Sequence, residues 1–401
     1  MSIFKTKQGA NYLVPFLLVA SLFLLWGVAH SILDVLNKHF QDVLQISKAQ
    51  SGLVQTMVYG GYFLMALPAG LIIKRFGYRS GIVTGLTLFA LGAFLFIPGS
   101  RLMSFPFFLF SLFVIGCGLT CLETSSNPYV SILGEPSDAS RRLNLAQSFN
   151  GLGWIVGPLL GAMLIFGEES NLALPYAIIG GVVALLAVVF LFLRLPEVKA
   201  TVEEVGQQGA DAADVPLRRN GLFLFGVLAL MLYVAAQTGI NSFFINFVLE
   251  NMPSLTPRTA AIVLSFGGMG LFMMGRLLGA AVMGRLAAER LLMLCALCAA
   301  VCMAVVMVNL GLVSVVALCL CFFFESIMFP TIFSQSIVVA GRHTAMASSL
   351  LTMSIVGGAI APVVMGKIGE TNIGAGFVLP LVCFLVVLVF AVLLTRRNRM
   401  R

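Results

Sequence analysis

Apolar residues run through this chain in long, nearly unbroken blocks separated by short polar stretches. A helix crosses a bilayer with roughly 20 mostly apolar residues. Twelve blocks reach that length: 12–37, 50–73, 81–99, 104–132, 143–166, 174–194, 221–249, 259–284, 290–310, 312–338, 344–366 and 374–395. Polarity does not alternate within a block, and each block far exceeds the roughly 10 residues of a barrel strand, so the pattern predicts helices. The expected fold is an all-α polytopic membrane protein with twelve transmembrane helices. One stretch departs from the pattern. Residues 195–220 hold Glu197, Glu203, Glu204, Asp211 and Asp214 among Gly and Ala, with no long apolar run. They read as a solvated cytoplasmic linker between an N-terminal six-helix half, 1–194, and a C-terminal six-helix half, 221–401.

Composition points the same way. The 401 residues are 60% hydrophobic and 10% charged, against roughly 25% charged in soluble chains. Polar groups are too few to cover a soluble surface. The net charge of +8 does not indicate nucleic acid, because the basic residues are scattered in small groups between apolar blocks. Their distribution sets topology instead. With both termini in the cytoplasm, 19 of 24 basic residues fall inside: Lys5, Lys7, Lys74, Arg75, Arg79, Arg141, Arg142, Arg194, Lys199, Arg218, Arg219, Arg276, Arg285, Arg290, Arg342 and arginines 396, 397, 399 and 401. Lys38, Lys48, Arg101, Arg258 and Lys367 stay outside. Such an excess follows the positive-inside rule for an inner-membrane protein with an even number of spans. The first block follows a short basic start but is longer than a signal-peptide core, and it lacks a convincing cleavage site, so no cleavable signal is expected. Cys295 and Cys298 form a C-x-x-C pair, but they lie in an apolar helix without a nearby His or acidic residue. Packing as small apolar side chains is expected there, and no metal site.

The two halves repeat each other. Glu123-Thr-Ser-Ser-Asn-Pro128 in the fourth block and Glu325-Ser-Ile-Met-Phe-Pro330 in the tenth share the pattern E-[TS]-x-x-x-P, 202 residues apart. Gly153 precedes Pro158 by five residues, as Gly357 precedes Pro362, 204 apart. Ala29-His30 with Asp34 matches Ala236-Gln237 with Asn241, 207 apart. Three matches in one order at nearly one offset indicate parallel six-helix repeats. Such repeats resemble the major facilitator architecture, in which substrate binds between the halves near the midplane. Between the second and third blocks, Gly70-Leu-Ile-Ile-Lys74-Arg75-Phe-Gly77-Tyr-Arg79 resembles the signature of that superfamily, Gly-x-x-x-Asp-Arg-x-Gly-Arg, with Lys74 in place of Asp. Gly70 would permit close helix approach, and the basic cluster would stay at the cytoplasmic face. The plainer reading is a positively charged inside loop.

Ionisable groups inside a membrane are costly and mark functional sites by default. Glu123 lies well inside its block, with Asn127 one turn on and on the same face. It is either a protonatable group facing a cavity or a structural hydrogen bonder between helices. In the first block His30, Asp34, Asn37 and Lys38 form one polar stripe. Counted from Tyr12, Asp34 falls towards the outer end of the span, where plain solvation competes with a functional role; His30 is expected to be a cavity hydrogen bonder. Asn144, Gln147 and Asn150 share a face of the fifth block. Neutral amides both donate and accept, which suits sugar hydroxyls and equally suits helix–helix packing. Gln237, Asn241 and Glu325 are the second half's candidates. Gln55, Tyr59 and Tyr62 share a face of the second block and are expected to line the pathway.

Several stretches carry a closer resemblance: Phe23-Leu-Leu-Trp26 with Asp34, Tyr62-Phe-Leu-Met-Ala-Leu-Pro68-Ala-Gly70, Cys121-Leu-Glu123-Thr-Ser-Ser-Asn127-Pro128-Tyr129, Leu143-Asn-Leu-Ala-Gln147-Ser-Phe-Asn150, Ala236-Gln237-Thr238 and Phe329-Pro330-Thr331-Ile332-Phe333. Together the chain resembles the fucose permease family of the major facilitator superfamily, the fucose–galactose–glucose–proton symporters. The resemblance implies proton-coupled import of a neutral monosaccharide, L-fucose or a hexose such as glucose or galactose, by alternating access. It implies that Asp34 and Glu123 match the family's essential carboxylates and that Gln147 and Asn150 match sugar-contacting positions. Glu325 stands where the fucose permease pattern is not acidic, and some hexose-type members are closer there.

The expected assignment follows. Glu123 and Asp34 couple the proton. Asp34, Asn37, Glu123, Asn127, Gln147, Asn150, Gln237, Asn241 and Glu325 contact substrate. Gly70, Lys74, Arg75, Gly77 and Arg79 form the gate loop. No H-E-x-x-H, G-x-S-x-G or Walker A pattern occurs, and there are three histidines, so an enzyme is not expected. The alternative is a major facilitator exporter of drugs or metabolites. An exporter of lipophilic cations would want an aromatic, amide-poor cavity, whereas amides occur here on the first, fifth and seventh helices. Expected partners are a small-molecule sugar and the lipid bilayer, with no nucleic acid, no cofactor beyond the coupling proton, and a monomer in the inner membrane.

Overall fold

The computed structural model describes residues 12–133, 139–166, 173–193, 217–283, 286–340 and 344–399. Most of the linker 195–220 therefore lies outside the described residues. Every regular element among them is helical. The long helices are α1 (Leu13–Leu44), α2 (Lys48–Ile73), α3 (Arg75–Leu102), α4 (Phe105–Ile132), α5 (Ala139–Leu164), α6 (Ala173–Phe192), α7 (Gly221–Asn251), α8 (Pro257–Met283), α9 (Ala288–Met307), α10 (Leu312–Ala340), α11 (Leu350–Ile368) and α12 (Ile373–Arg397). Eleven of these are apolar and long enough to cross a membrane. The remaining one, α5, is the helix that carries Arg142, Asn144, Gln147 and Asn150, whose polarity lowers its hydropathy without breaking its backbone.

Two departures from the sequence reading have simple causes. α1 does not stop near Asn37. Val35, Leu36 and Phe40 are fully buried and carry the helix on to Leu44, through the polar residues His39, Gln41 and Asp42. α10 is interrupted after Glu325 and resumes at Met328. Pro330 explains this break, because its ring crowds the carbonyl four residues back, that of Ser326.

The helices form two compact units, Met1–His39 with Met57–Ala200, and Phe40–Thr56 with Thr201–Arg401. In the first, α1 and α5 touch through glycine. A Cβ on Gly153 would collide with the Leu24 carbonyl and the Cα of Gly27. The second unit repeats this contact, since a Cβ on Gly357 would collide with the Met231 carbonyl. Leu24 and Met231 stand 207 positions apart, and the two glycines 204, the offsets found in the motifs.

In the second unit the segment 40–56 is held by a polar latch. Lys48 Nζ pairs with Glu250 at 2.5 Å and donates to the Gly369 carbonyl at 3.1 Å. The Glu370 carboxylate accepts the backbone N–H groups of Lys48 and Ala49 at 3.3 and 3.4 Å. These belong to the first turn of a helix capped by Ser47, whose hydroxyl accepts from the N–H of Gln50. An anion beside such N–H groups is favoured. Asn246 completes the latch by donating to Gln41 at 2.6 Å.

The proposed gate loop is a sharp turn. Gly77, at φ 84°, has a backbone that L side chains rarely adopt, and it kinks the chain two residues into α3. Arg79 donates from Nε to the Phe190 carbonyl at 3.1 Å and from its terminal nitrogen to the Leu191 carbonyl. It therefore caps α6, where free carbonyls favour a cation. Arg75 lies 5.2 Å from the centre of the Phe76 ring. Gly70 corrects an expectation: a Cβ there would meet open space, so no close helix approach depends on it. The side chain of Lys74 lies outside the described ones.

Candidate functional site

In the first unit, polar groups from four helices converge. α1 supplies His30, α2 Tyr59 and Tyr62, α4 Glu123, and α5 Trp154. His30 Nε2 lies 2.9 Å from the Tyr62 hydroxyl, and the same hydroxyl hydrogen-bonds the Glu123 carboxyl. Trp154 stacks on the His30 ring at 6.0 Å, and Tyr59 closes the cluster at 6.1 Å from both His30 and Tyr62. The imidazole is thereby fixed in place on three sides.

This chain of hydrogen bonds has two self-consistent arrangements of protons. With Glu123 ionised, Tyr62 donates to it and accepts from His30 Nε2–H. With Glu123 protonated, Glu123 donates to Tyr62, and Tyr62 donates to His30 with its ring proton on Nδ1. Glu123 can thus gain or lose a proton while no member of the chain is stranded. Glu123 is half-buried, so it is neither sealed nor freely solvated.

Asp34 and Asn37 lie on α1, at 2% and 0% exposure. The sequence left open that Asp34 is simply solvated at the end of its helix. The structure corrects that: α1 continues ten residues beyond Asp34, about 15 Å of helix. Gln147 donates to Asn127 at 3.4 Å, joining two of the expected sugar contacts across α4 and α5. Asn150 has a different partner. It donates to the Phe23 carbonyl at 3.2 Å, directly above the Gly27–Gly153 contact, and so braces α1 against α5. Asn144 lies in α5, but its side chain lies outside the described ones. Trp154 was not foreseen. An aromatic residue in an apolar block carries no sequence sign that separates a site wall from a lipid-facing ring.

The second unit is built differently. Gln237 is half-buried on α7, and Asn241 is buried, with no hydrogen-bond partner for its side-chain oxygen among the described residues. Glu325, at the break in α10, is fully buried. Around it, Tyr233 donates to the Glu325 backbone carbonyl at 3.1 Å, and Arg276 Nε donates to the Ser326 carbonyl at 3.3 Å. These two donors satisfy the carbonyls freed by the helix break. Arg276 also corrects the topology reading, which placed it in a cytoplasmic segment. It lies within α8, its guanidinium 4.7 Å from the centre of the Phe272 ring.

Residues 13–362 match the sequence profile of the Major Facilitator Superfamily. The chain belongs to the major facilitator superfamily. Within it, the chain is 37% identical to the L-fucose-proton symporter of Escherichia coli, with 96% of this chain and 94% of that one aligned. It is 33% identical to the glucose/galactose transporter of Brucella abortus, over 95% and 94%. The crystal structure of the E. coli fucose:proton symporter superimposes with a TM-score of 0.69, at 35% identity, covering 96% of this chain and 99% of that one. These relatives place the chain in the fucose permease branch. A major facilitator protein of this branch is a multi-pass membrane transporter, not an enzyme.

The relay makes Tyr62→Phe informative. The change removes only the hydroxyl between Glu123 and His30. A hydrogen bond to a charged group contributes roughly 1.5–3 kcal/mol, so initial rates of proton-driven uptake should fall about tenfold or more, with an altered pH profile. Wild-type rates across the pH range would show that the hydroxyl takes no part.

Proposed function

We propose that this chain is a proton-coupled symporter that imports a neutral monosaccharide, L-fucose or a hexose such as glucose or galactose, by alternating access. The observation that carries the proposal is the Glu123–Tyr62–His30 chain, a carboxyl inside a membrane helix whose neighbours accommodate both of its protonation states. The names of the relatives support a sugar as cargo. In this reading Glu123 takes up the coupling proton, and Asp34, Asn37 and the Asn127–Gln147 pair accept and donate to sugar hydroxyls. Trp154, Tyr59 and Tyr62 offer ring faces to the apolar side of a pyranose. Because the sugar is neutral, import moves positive charge inward. The protein works as a monomer in the inner membrane with both termini in the cytoplasm, and it needs no cofactor other than the proton.

The test is uptake of labelled monosaccharides into proteoliposomes with and without an imposed proton gradient. One sugar should accumulate, and only with the gradient. Accumulation of none, or equal uptake without the gradient, would overturn the proposal. The two amides should also separate. Gln147→Ala loses a hydroxyl partner worth about 0.5–1.5 kcal/mol and should weaken sugar affinity roughly two- to twelvefold. Asn150→Ala removes the brace on Phe23 and should lower the unfolding temperature while leaving affinity nearly unchanged. Equal effects on affinity would place Asn150 at the sugar.

A further inference from the structure

We propose that Glu325 is a second proton-binding site, in the second six-helix unit, with Arg276 as the cation that receives it when the proton leaves. Glu325 is fully buried, and neither carboxyl oxygen has a hydrogen-bond partner among the described residues. The donors nearby are already engaged. Tyr233 holds the Glu325 carbonyl, and Arg276 holds that of Ser326. An ionised carboxylate in this arrangement would be a buried charge with neither counter-ion nor hydrogen bond, the costliest state for such a group. A neutral acid fits the site as it stands.

Among the described residues, the titratable groups that the structure sets around Glu325 are few. Cys321 lies one turn earlier on α10, Cys302 faces it from α9, Tyr233 comes from α7 and Arg276 from α8. Among these only Arg276 is a cation. Its Nε is bonded to the carbonyl of the residue next to Glu325, and its guanidinium has further N–H groups in a fork suited to a carboxylate. Loss of the proton to water leaves a carboxylate that competes with the Ser326 carbonyl for this guanidinium. Arg276 stays charged throughout, so the local net charge falls by one when the proton leaves. Because Ser326 lies in the break that Pro330 imposes, releasing its carbonyl changes the joint between the two segments of α10. Protonation is thus linked to the geometry of a helix that has a built-in hinge.

The inference extends the proton-coupled reading given above, and its test needs no sugar. Infrared difference spectra would be recorded on the purified protein in lipid, along a pH titration. The wild type should show a carboxylic-acid C=O band near neutral pH that converts to carboxylate bands in alkali. Glu325→Gln should lack that component at every pH, whereas Glu123→Gln should keep it. Arg276→Gln should retain the band to more alkaline pH, since no cation then receives the carboxylate. Thermal unfolding checks that each variant is folded, and Glu325→Asp serves as the variant that keeps an acid there. A Glu325→Gln spectrum that superimposes on the wild type, or a wild-type band indifferent to pH, would overturn the proposal. Failed sugar uptake with the band intact would instead count against the transport reading alone.

Discussion

Glu123→Gln is expected to abolish uphill accumulation of sugar while sugar exchange between preloaded vesicles continues at a rate near that of the wild type. Glutamine has nearly the shape of a protonated glutamic acid. It can still donate to and accept from the Tyr62 hydroxyl, so the chain to His30 stays whole. What it cannot do is release a proton. The magnitude is set by the driving force. One elementary charge crossing 100 mV carries about 2.3 kcal/mol, and 1.36 kcal/mol is tenfold, so each coupled proton sustains about a 50-fold sugar gradient. In the variant that ratio should collapse to equality. Proton-driven accumulation by Glu123→Gln at the wild-type level would remove Glu123 from the coupling mechanism. Loss of exchange along with accumulation would make it a sugar ligand first.

Gly153→Leu and Gly357→Leu are each expected to abolish the folded transporter. The atoms that a new side chain would meet are backbone carbonyls, Leu24 in one unit and Met231 in the other. Backbone inside a helix cannot swing aside as a side-chain tip can. The helices must separate, and with them the surrounding van der Waals contacts that hold membrane helices together. Overpacking a core by extra methylenes typically costs about 1–3 kcal/mol; here a whole helix pair is wedged apart, so Gly→Ala alone should reach that range. Gly60→Ala is the control, because a Cβ at Gly60 meets nothing. Monodispersity and unfolding temperature in detergent would report the result. A melting curve for Gly153→Leu like that of the control would mean that α1 and α5 are free to part.

The membrane helices were legible because bilayer thickness imposes a minimum length on apolar runs, and the glycine–proline spacing at 153–158 and 357–362 exposed the repeat. What remained hidden was of two kinds. Polar residues that continue a helix look like its end, which is why α1 was expected to stop near Asn37 and Asp34 to lie at a rim. Arg276 fell within the expected block 259–284 but was counted with the cytoplasmic charges, because the sequence does not show the Ser326 carbonyl that holds it within α8. The second kind concerns partners from distant helices. Glu123 was visible as a carboxylate in a span, and His30 and Tyr62 as polar residues on spans of their own. Their common hydrogen bonds belong to the packing of α1, α2 and α4, and no single helix encodes them. Asn150 shows the limit of residue type as a guide. An amide suits a sugar or a backbone carbonyl equally, and here the Phe23 carbonyl is its partner.

The paired glycine contacts also bear on how such a transporter changes over generations. Gly153 and Gly357 meet equivalent carbonyls, so both units are built on the same frame. The surroundings of the two acids are not alike. Glu123 is linked to Tyr62 and through it to His30, on which Trp154 stacks, whereas neither carboxyl oxygen of Glu325 has a hydrogen-bond partner among the described residues. One frame therefore carries two different chemistries. One copy can drift towards a new cargo through a handful of polar substitutions while the other preserves an older task, and neither has to fold anew.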